Sequence, residues 1–199
     1  MKNLLLSFII VLLVSACGTP NTVTPTNELP PSGGNLAEQA TPVCISQEPT
    51  DADVDRALTY TEDLFSGANW ERSYTVGGGR VSVTWFNGTD AAVAYLEALI
   101  FPCSYEELDL DNFFNVDNWQ VIFANYESYQ HIAECKTDDG LRLYQFRAIE
   151  QGYEYDIKYW AENDTETRVL GMMIVFPVES TELMDEYSNS LFPELTSCQ

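Results

Sequence analysis

The second half of this 199-residue chain is a series of β-rich segments joined by very short connections. Connections such as Asp138-Asp139-Gly140 and Gln151-Gly152 are too short for a crossover, so consecutive strands must be antiparallel neighbours. The sequence therefore predicts an antiparallel meander, with strands over residues 119–126, 129–136, 141–149, 153–161 and 167–176.

The first half of the domain predicts a helix followed by a β-hairpin. Thr50 can cap a helix together with Asp53, three residues on, and apolar residues then recur at helical spacing until Gly67. Two strands over 70–76 and 80–86 follow, joined by three glycines that indicate a tight turn.

Two further helices are predicted, one before the meander and one after it. The first begins at Thr89 or Asp90 and has its apolar side at Ala92, Tyr95, Leu96 and Leu99; the second turns Leu183, Met184, Tyr187 and Leu191 inward. The fold class is therefore α+β, with a single curved antiparallel β-sheet of five to seven strands packed with two or three helices. This layout resembles the cone-shaped domains of the nuclear-transport-factor type and the PsbP-type sandwiches, but no motif accompanies the resemblance and it carries little functional weight.

The first residues of the chain form an export signal. Lys2 precedes an apolar run over 4–14 that is too short for a membrane-spanning helix, which needs about 20 apolar residues. The run ends in Val14-Ser15-Ala16-Cys17, which resembles the lipobox of bacterial lipoproteins. The resemblance implies that residues 1–16 are removed, that Cys17 carries a diacylglycerol, and that the protein is held at the extracytoplasmic face of a membrane. Gly18 is not the Asp that retains such proteins in the inner membrane, which leaves outer-membrane sorting open.

A tether separates this anchor from the folded domain. Residues 17–42 contain five prolines (20, 25, 30, 31 and 42) and no aromatic residue, so we expect them to be disordered. Such a segment has a reach of roughly 25–30 Å. The single domain is expected over residues 43–199.

The charge of the chain limits the partners it can have. There are 9 Lys+Arg against 31 Asp+Glu, for a net charge of −22, and loss of Lys2 with the signal makes it −23. A nucleic-acid partner is excluded because too few cations are available to neutralise phosphates. The acidic surface predicts a basic protein or a cationic ligand as partner.

The remaining cysteines indicate disulfides. With Cys17 used for lipid, an exported domain with Cys44, Cys103, Cys135 and Cys198 is expected to form two bridges. Four cysteines allow three connectivities. Because domain termini often lie close together, we favour Cys44–Cys198 with Cys103–Cys135.

No catalytic or metal site is evident in the sequence. A Ser-His-Asp or Cys-His system would need His131, the sole histidine, and no nucleophile motif accompanies it. Asp51, Asp53, Asp55 and Glu62 have calcium-loop spacing, but Arg56 stands where that loop needs glycine, so a capped acidic helix is favoured. A second acidic group, Asp109, Asp111, Asn112, Asn115 and Asp117, is expected to be a solvated loop. We therefore expect no cofactor and no metal.

Tyrosines are concentrated on the late strands. Tyr153, Tyr155 and Tyr159 share one strand face, and Tyr144 lies on the preceding strand. They form either a sheet core under helices or a groove that binds a ligand, since tyrosine binds with little entropy loss and keeps a polar group. The predicted function is a non-catalytic, membrane-anchored binding module for a protein, peptide or small ligand. The alternative is a cell-envelope hydrolase that uses carboxylates or a calcium ion.

Overall fold

The computed structural model describes residues 48–198 except Glu62, Pro102, Tyr105 and Glu106, together with the backbone alone at 107–109 and 116. The signal, the tether, Cys17 and Cys44 lie outside the described residues. The helices are α1 (Asp51–Thr59), α2 (Glu107–Phe113), α3 (Val116–Ile122) and α4 (Thr181–Leu191), with a 3-10 turn at Val178–Ser180. The strands are β1 (Trp70–Gly77), β2 (Arg80–Asn87), β3 (Ala92–Ile100), β4 (Ser128–Lys136), β5 (Arg142–Glu150), β6 (Tyr153–Thr165) and β7 (Arg168–Pro177).

The strands form one antiparallel sheet in the order β1-β2-β3-β7-β6-β5-β4. The hairpin of β1 and β2 and the meander from β4 to β7 are confirmed, and β3 joins them by pairing with β7. The α+β class with a single antiparallel sheet is therefore confirmed, with seven strands. The described residues contain four helices rather than two or three.

Helices cover both faces of the sheet. On one face, α1 and α4 pack Ala57 and Met184 against residues such as Leu96 and Trp160. On the other face, α2 and α3 pack Leu110, Phe114, Trp119 and Phe123 against β5, β6 and β7. The strands β5, β6 and β7 therefore have buried residues on both faces, which is why they are more apolar than a strand with one solvent-exposed face.

The start of α1 is as predicted. The Asp53 amide donates to the Thr50 hydroxyl at 3.3 Å, and the Thr50 amide donates to the Asp53 carboxylate at 2.8 Å, which is a capping box. Asp53 also accepts from Arg168 at 2.6 Å. Helical residues thus occupy the candidate calcium-loop positions 51–59, and the capped helix is the correct interpretation.

The predicted helix after Thr89 is wrong, because residues Ala92–Ile100 form β3. Ala94, Leu96 and Ala98 face α1 and α4, while Tyr95 and Glu97 lie on the opposite face. As an interior strand between β2 and β7, β3 is apolar on both sides apart from Glu97, and such a run has no clear period that separates a strand from a helix.

The predicted strand over 119–126 is also wrong, because its first residues belong to α3. Asn115 caps this helix: its side-chain oxygen accepts from the Asp117 amide at 3.0 Å and from the Asn118 amide at 3.2 Å. Trp119 and Phe123, four residues apart, are buried on one side, while Val121 is 74% exposed. The acidic group 109–117 accordingly belongs to α2, the cap and α3 rather than to a loop.

The predicted disulfide pairing is wrong as well. Cys135 on β4 is bonded to Cys198, with their Cα atoms 5.6 Å apart, so neither Cys103–Cys135 nor Cys44–Cys198 can form. Cys103 is disulfide-bonded too. The carboxyl-terminal segment is further held to the sheet, since the Trp160 indole donates to the Leu195 carbonyl at 2.8 Å.

Among the described residues, none of the helices has the length and apolar character needed to cross a membrane.

Candidate binding site at the β5–β6 turn

The four tyrosines of interest share one face of the sheet but lie in two environments. Tyr144 and Tyr159 are opposite each other on β5 and β6 and are only 5% and 1% exposed. The Trp119 ring packs on both, at centroid distances of 4.9 and 5.4 Å. Tyr153 is 66% exposed and Tyr155 is half-buried. Tyr144 and Tyr159 therefore belong to the core, and Tyr153 and Tyr155 remain available to a ligand.

The Tyr159 hydroxyl is buried and has no hydrogen-bond partner among the described residues. It lies over Gly171 of β7, where a Cβ atom would come within 2.0 Å of the hydroxyl oxygen. Burial raises the pKa of Tyr159 well above its ordinary value, and the charge of Glu97 adds to this shift. Tyr159 is thus a core residue held under α2 and α3, with no open path to a partner.

The β5–β6 turn brings the two accessible tyrosines next to carboxylates. Gln151 and Gly152 both have positive φ angles, 51° and 79°, which fit a two-residue hairpin turn. This turn pairs Glu150 directly with Tyr153 across the strands. The backbone of the turn therefore sets a carboxylate beside an exposed aromatic ring.

Two residues from other elements complete this arrangement. Tyr126 follows α3 and is held by the buried ring of Phe123, at a centroid distance of 5.7 Å. Glu179 lies in the 3-10 turn after β7, two residues beyond Pro177, and Pro177 pairs with Tyr155. We call Tyr126, Glu150, Tyr153, Tyr155 and Glu179 the tyrosine–carboxylate cluster.

The pKa shifts of the tyrosines reflect this proximity. Burial, followed by the charge of Glu150, raises the pKa of Tyr126 to about 12. Burial, Glu150, Tyr153 and Glu179 together raise the pKa of Tyr155. Both hydroxyls therefore stay neutral near pH 7, and the charge of the cluster comes from its carboxylates.

The cluster has an excess of negative charge. Within the part of the chain that the structure describes, Glu150 and Glu179 form no ion pair, whereas six cations each pair with a carboxylate elsewhere: Arg56, Arg80, Arg142, Arg147, Lys158 and Arg168. The nearest of these along the chain, Arg147, bonds Asp156 at 2.8 Å on the opposite face of the sheet. Aromatic faces beside unpaired carboxylates can hold an ammonium or guanidinium group.

A concavity separate from this cluster lies between α2 and the β4–β5 hairpin. It has a volume of about 280 Å³ and is lined by Asp111, Glu134, Cys135, Lys136, Arg142 and Tyr144. Arg142 donates to Asp111 at 2.5 Å, so its charge is already matched. Tyr144 thus borders this pocket although its ring is in the core, and the mixture of charges does not select one sign of ligand.

The contacts of His131 are those of a residue packed on the sheet. The ring of His131 stacks on Phe146 at 5.0 Å, and its Nε2 atom lies 3.1 Å from the Ala133 carbonyl oxygen. Its other polar neighbour is the carboxylate of Glu134 at 3.7 Å, so the contacts of His131 include no nucleophile. No group of three or more His, Cys, Asp or Glu side chains within the described residues could hold a metal ion.

Sequence reasoning identified Tyr153 and Tyr155 but missed Tyr126, Glu150 and Glu179. The pairing of Glu150 with Tyr153 was within reach, because residues that flank a two-residue turn must be opposite each other. The sequence predicts a strand over 119–126 where α3 begins the segment, and this difference hides the position of Tyr126. The position of Glu179 depends on how β7 pairs with β6, which no local signal indicates.

A scan against protein-family models and a search of curated proteins find no match to this chain. The fold and the site alone therefore define its class, an α+β domain with a tyrosine–carboxylate surface at one end of its sheet.

Proposed function

We propose that this protein is a lipid-anchored, extracytoplasmic binding module without catalytic activity, whose partner is a basic protein, a peptide or a small cationic ligand. The tyrosine–carboxylate cluster is its contact surface. Lysine or arginine side chains of the partner lie on Tyr153 and Tyr155 and pair with Glu150 and Glu179.

The observation that carries this proposal is the cluster itself: the exposed ring of Tyr153 and the half-buried ring of Tyr155 lie beside carboxylates that form no ion pair among the described residues. A cation bound there gains a ring face and a carboxylate together, a contact worth about 0.5–2 kcal/mol for the ring alone. The net charge of −22 adds long-range attraction, which speeds encounter and weakens as salt is added.

Tyr155 provides the sharpest test of the contact. With an octa-arginine peptide as probe, Tyr155→Leu should weaken binding about tenfold, because the ring face is lost while apolar volume is kept. Tyr155→Phe should bind as the unchanged protein does, since the cation contacts the ring rather than the hydroxyl. Equal affinity of both variants, measured by fluorescence anisotropy, would contradict the proposal.

A charge variant tests the carboxylate. Glu150→Gln should weaken binding of the same peptide and reduce its dependence on salt. The matched control is Glu166→Gln, which removes one exposed carboxylate at the β6–β7 turn, at the other end of β6. If both variants lose the same affinity, only the overall charge matters and the cluster is not a site.

The membrane anchor needs a separate measurement. Mass spectrometry of the native protein should find Cys17 as its first residue, carrying a diacylglycerol, whose two chains suffice for stable anchoring. Cys17→Ala should leave an unprocessed or released chain. An unmodified Cys17 in the mature protein would refute the anchor, and reproducible turnover of an envelope substrate would favour a hydrolase instead.

A further inference from the structure

The two edges of the sheet differ in how they are protected. The strands β1 and β4 each have a sheet neighbour on one side only, so every second residue directs its N–H and C=O groups away from the sheet. Proteins usually guard such edges with bulges or charges, because an open edge can pair with another chain. The described residues of this protein guard one edge and leave the other open.

Strand β4 is guarded. Its pairing with β5 shifts register between His131 and Ala133, which disrupts the ladder, and it carries Glu134 and Lys136. The disulfide between Cys135 and Cys198 places the carboxyl-terminal segment beside it. A strand from another chain could pair with β4 only by displacing the carboxyl-terminal segment and accommodating the register shift and the charged residues.

Strand β1 is open. It pairs with β2 in one uninterrupted register, and all of its residues after Trp70 are exposed. The charged residues of β1, Glu71 and Arg72, are confined to its start, and residues 73–77 contain no charge and no proline. Tyr74 and Val76, on one face of this stretch, are 53% and 49% exposed. This is a regular, partly apolar edge of the kind that accepts an added strand.

A pocket on that same face can receive a side chain from such a strand. It has a volume of about 280 Å³, and its lining includes Leu58, Phe65, Trp70, Arg72 and Trp85. Trp70 is fixed there by a hydrogen bond from its indole to the Tyr187 hydroxyl at 3.0 Å. In strand addition, backbone bonds supply affinity and pockets of this kind supply specificity.

We propose that β1 binds an extended, basic segment of a partner protein as an eighth strand of the sheet. A second copy of this chain is a poor occupant, because pairing two β1 edges would bring together two molecules of net charge −22. The prolines at 20, 25, 30, 31 and 42 make the chain's own amino-terminal segment a poor occupant too, since proline cannot donate to a ladder. A basic segment can hydrogen-bond to this edge, and its charge is opposite to the net charge of the molecule.

The basic character of this partner rests on the proposed function, but the mode of binding does not depend on the tyrosine–carboxylate cluster. The test is hydrogen exchange of the full chain, in mild detergent, with a capped peptide of alternating lysine and valine as the probe. Amide exchange in residues 71–77 should slow about tenfold with the peptide, while exchange in β4 should not change. A peptide methylated on every second backbone nitrogen and a glutamate–valine peptide should both be without effect.

Variants separate this site from the cluster. Val76→Lys should weaken peptide binding about tenfold without a change in melting temperature, because its side chain is exposed; Ile132→Lys, 54% exposed on β4, is the matched control. Tyr155→Leu should leave the protection of β1 intact, so failure of the cluster and failure of the edge are distinguishable. Three outcomes would each overturn the proposal. The methylated peptide could slow exchange as much as the unmethylated one, or the peptide could slow exchange in β4. Exchange in β1 could also already be slow without peptide because the protein self-associates.

Discussion

Tyr159 and Tyr153 lie on the same strand and the same face of the sheet, yet one is 1% exposed and the other 66%. The difference comes from the opposite layer, because Phe114 and Trp119 of the α2–α3 region pack on Tyr159 and no described residue covers Tyr153 to that extent. The alternation of residues along a strand thus determines the face of the sheet to which a side chain points. Whether that side chain is buried depends on how far the helices of the adjacent layer extend over it. The same face supplies core at one end of β6 and a contact surface at the other.

The largest effect is expected from truncating the covered tyrosine. Tyr159→Ala should lower the free energy of unfolding by about 3–5 kcal/mol, because it removes a buried ring and leaves a cavity. Tyr153→Ala should change it by less than about 0.5 kcal/mol, as for other exposed positions. Chemical denaturation of the two variants measures both values, and similar losses would break the comparison.

The next largest effect on stability is expected from the disulfide on β4. This edge strand is separated from β6 and its tyrosines by β5. Replacing Cys135 and Cys198 by Ser should cost roughly 2–4 kcal/mol, because the bridge restricts the unfolded chain. Peptide mapping without reduction should recover Cys135–Cys198 and, by elimination among the domain cysteines, Cys44–Cys103. Binding of basic peptides to Tyr153 and Tyr155 should survive the loss of the bridge; loss of binding would mean that the carboxyl-terminal segment supports the cluster.

Smaller effects of opposite sign are expected around the Tyr159 hydroxyl. Gly171→Ala should destabilise by about 1–3 kcal/mol, since its Cβ atom would lie 2.0 Å from that oxygen. Tyr159→Phe should stabilise by about 1 kcal/mol, because a buried hydroxyl without a partner is removed. Tyr155→Phe is the control and should be neutral. A destabilised Tyr159→Phe protein would show that the hydroxyl is satisfied in solution.

The last effect is a dependence of stability on alkaline pH, and it is absent near neutral pH. The pKa of Tyr126 is raised to about 12, above its value of about 10 in an unfolded chain. The stability linked to this group is therefore complete below pH 10 and declines as the pH rises from about 10 to 12. Tyr126→Phe should flatten this decline, measured by denaturation at several pH values, and Tyr153→Phe serves as the control. An unchanged slope would place Tyr126 in an open environment like that of Tyr153.

Local sequence signals predicted the helices and strands that have one solvent-exposed face or a clear capping residue. The capping box of Thr50 and Asp53, the glycine turn after β1 and the short turns between β4 and β7 each act within a few residues. The two segments whose secondary structure was predicted wrongly, β3 and α3, lacked a clear difference between a polar and an apolar face. Strand β3 is apolar on both faces apart from Glu97, and α3 begins at an Asn cap inside an acidic stretch that also suits a loop.

The disulfide pairing failed for a topological reason. Cys103 follows β3 and Cys135 lies on β4, and the sheet order places β7, β6 and β5 between those two strands. Four strand spacings of about 4.8 Å separate them, far beyond the reach of a disulfide. Nothing near either cysteine indicates that β3 pairs with β7.

By itself, the sequence determined the period-two faces of the meander strands, the antiparallel sense of their connections, the capped α1 and the acidic charge, because each depends on residues close in the chain or on composition alone. Only the tertiary structure decided which tyrosines are covered, which cysteines meet and which sheet edge stays open. These outcomes depend on the pairing of β3 with β7 and on how far α2 and α3 extend over the sheet. Both are contacts between distant segments, whose free energy comes from apolar area buried jointly and is not encoded in any one segment.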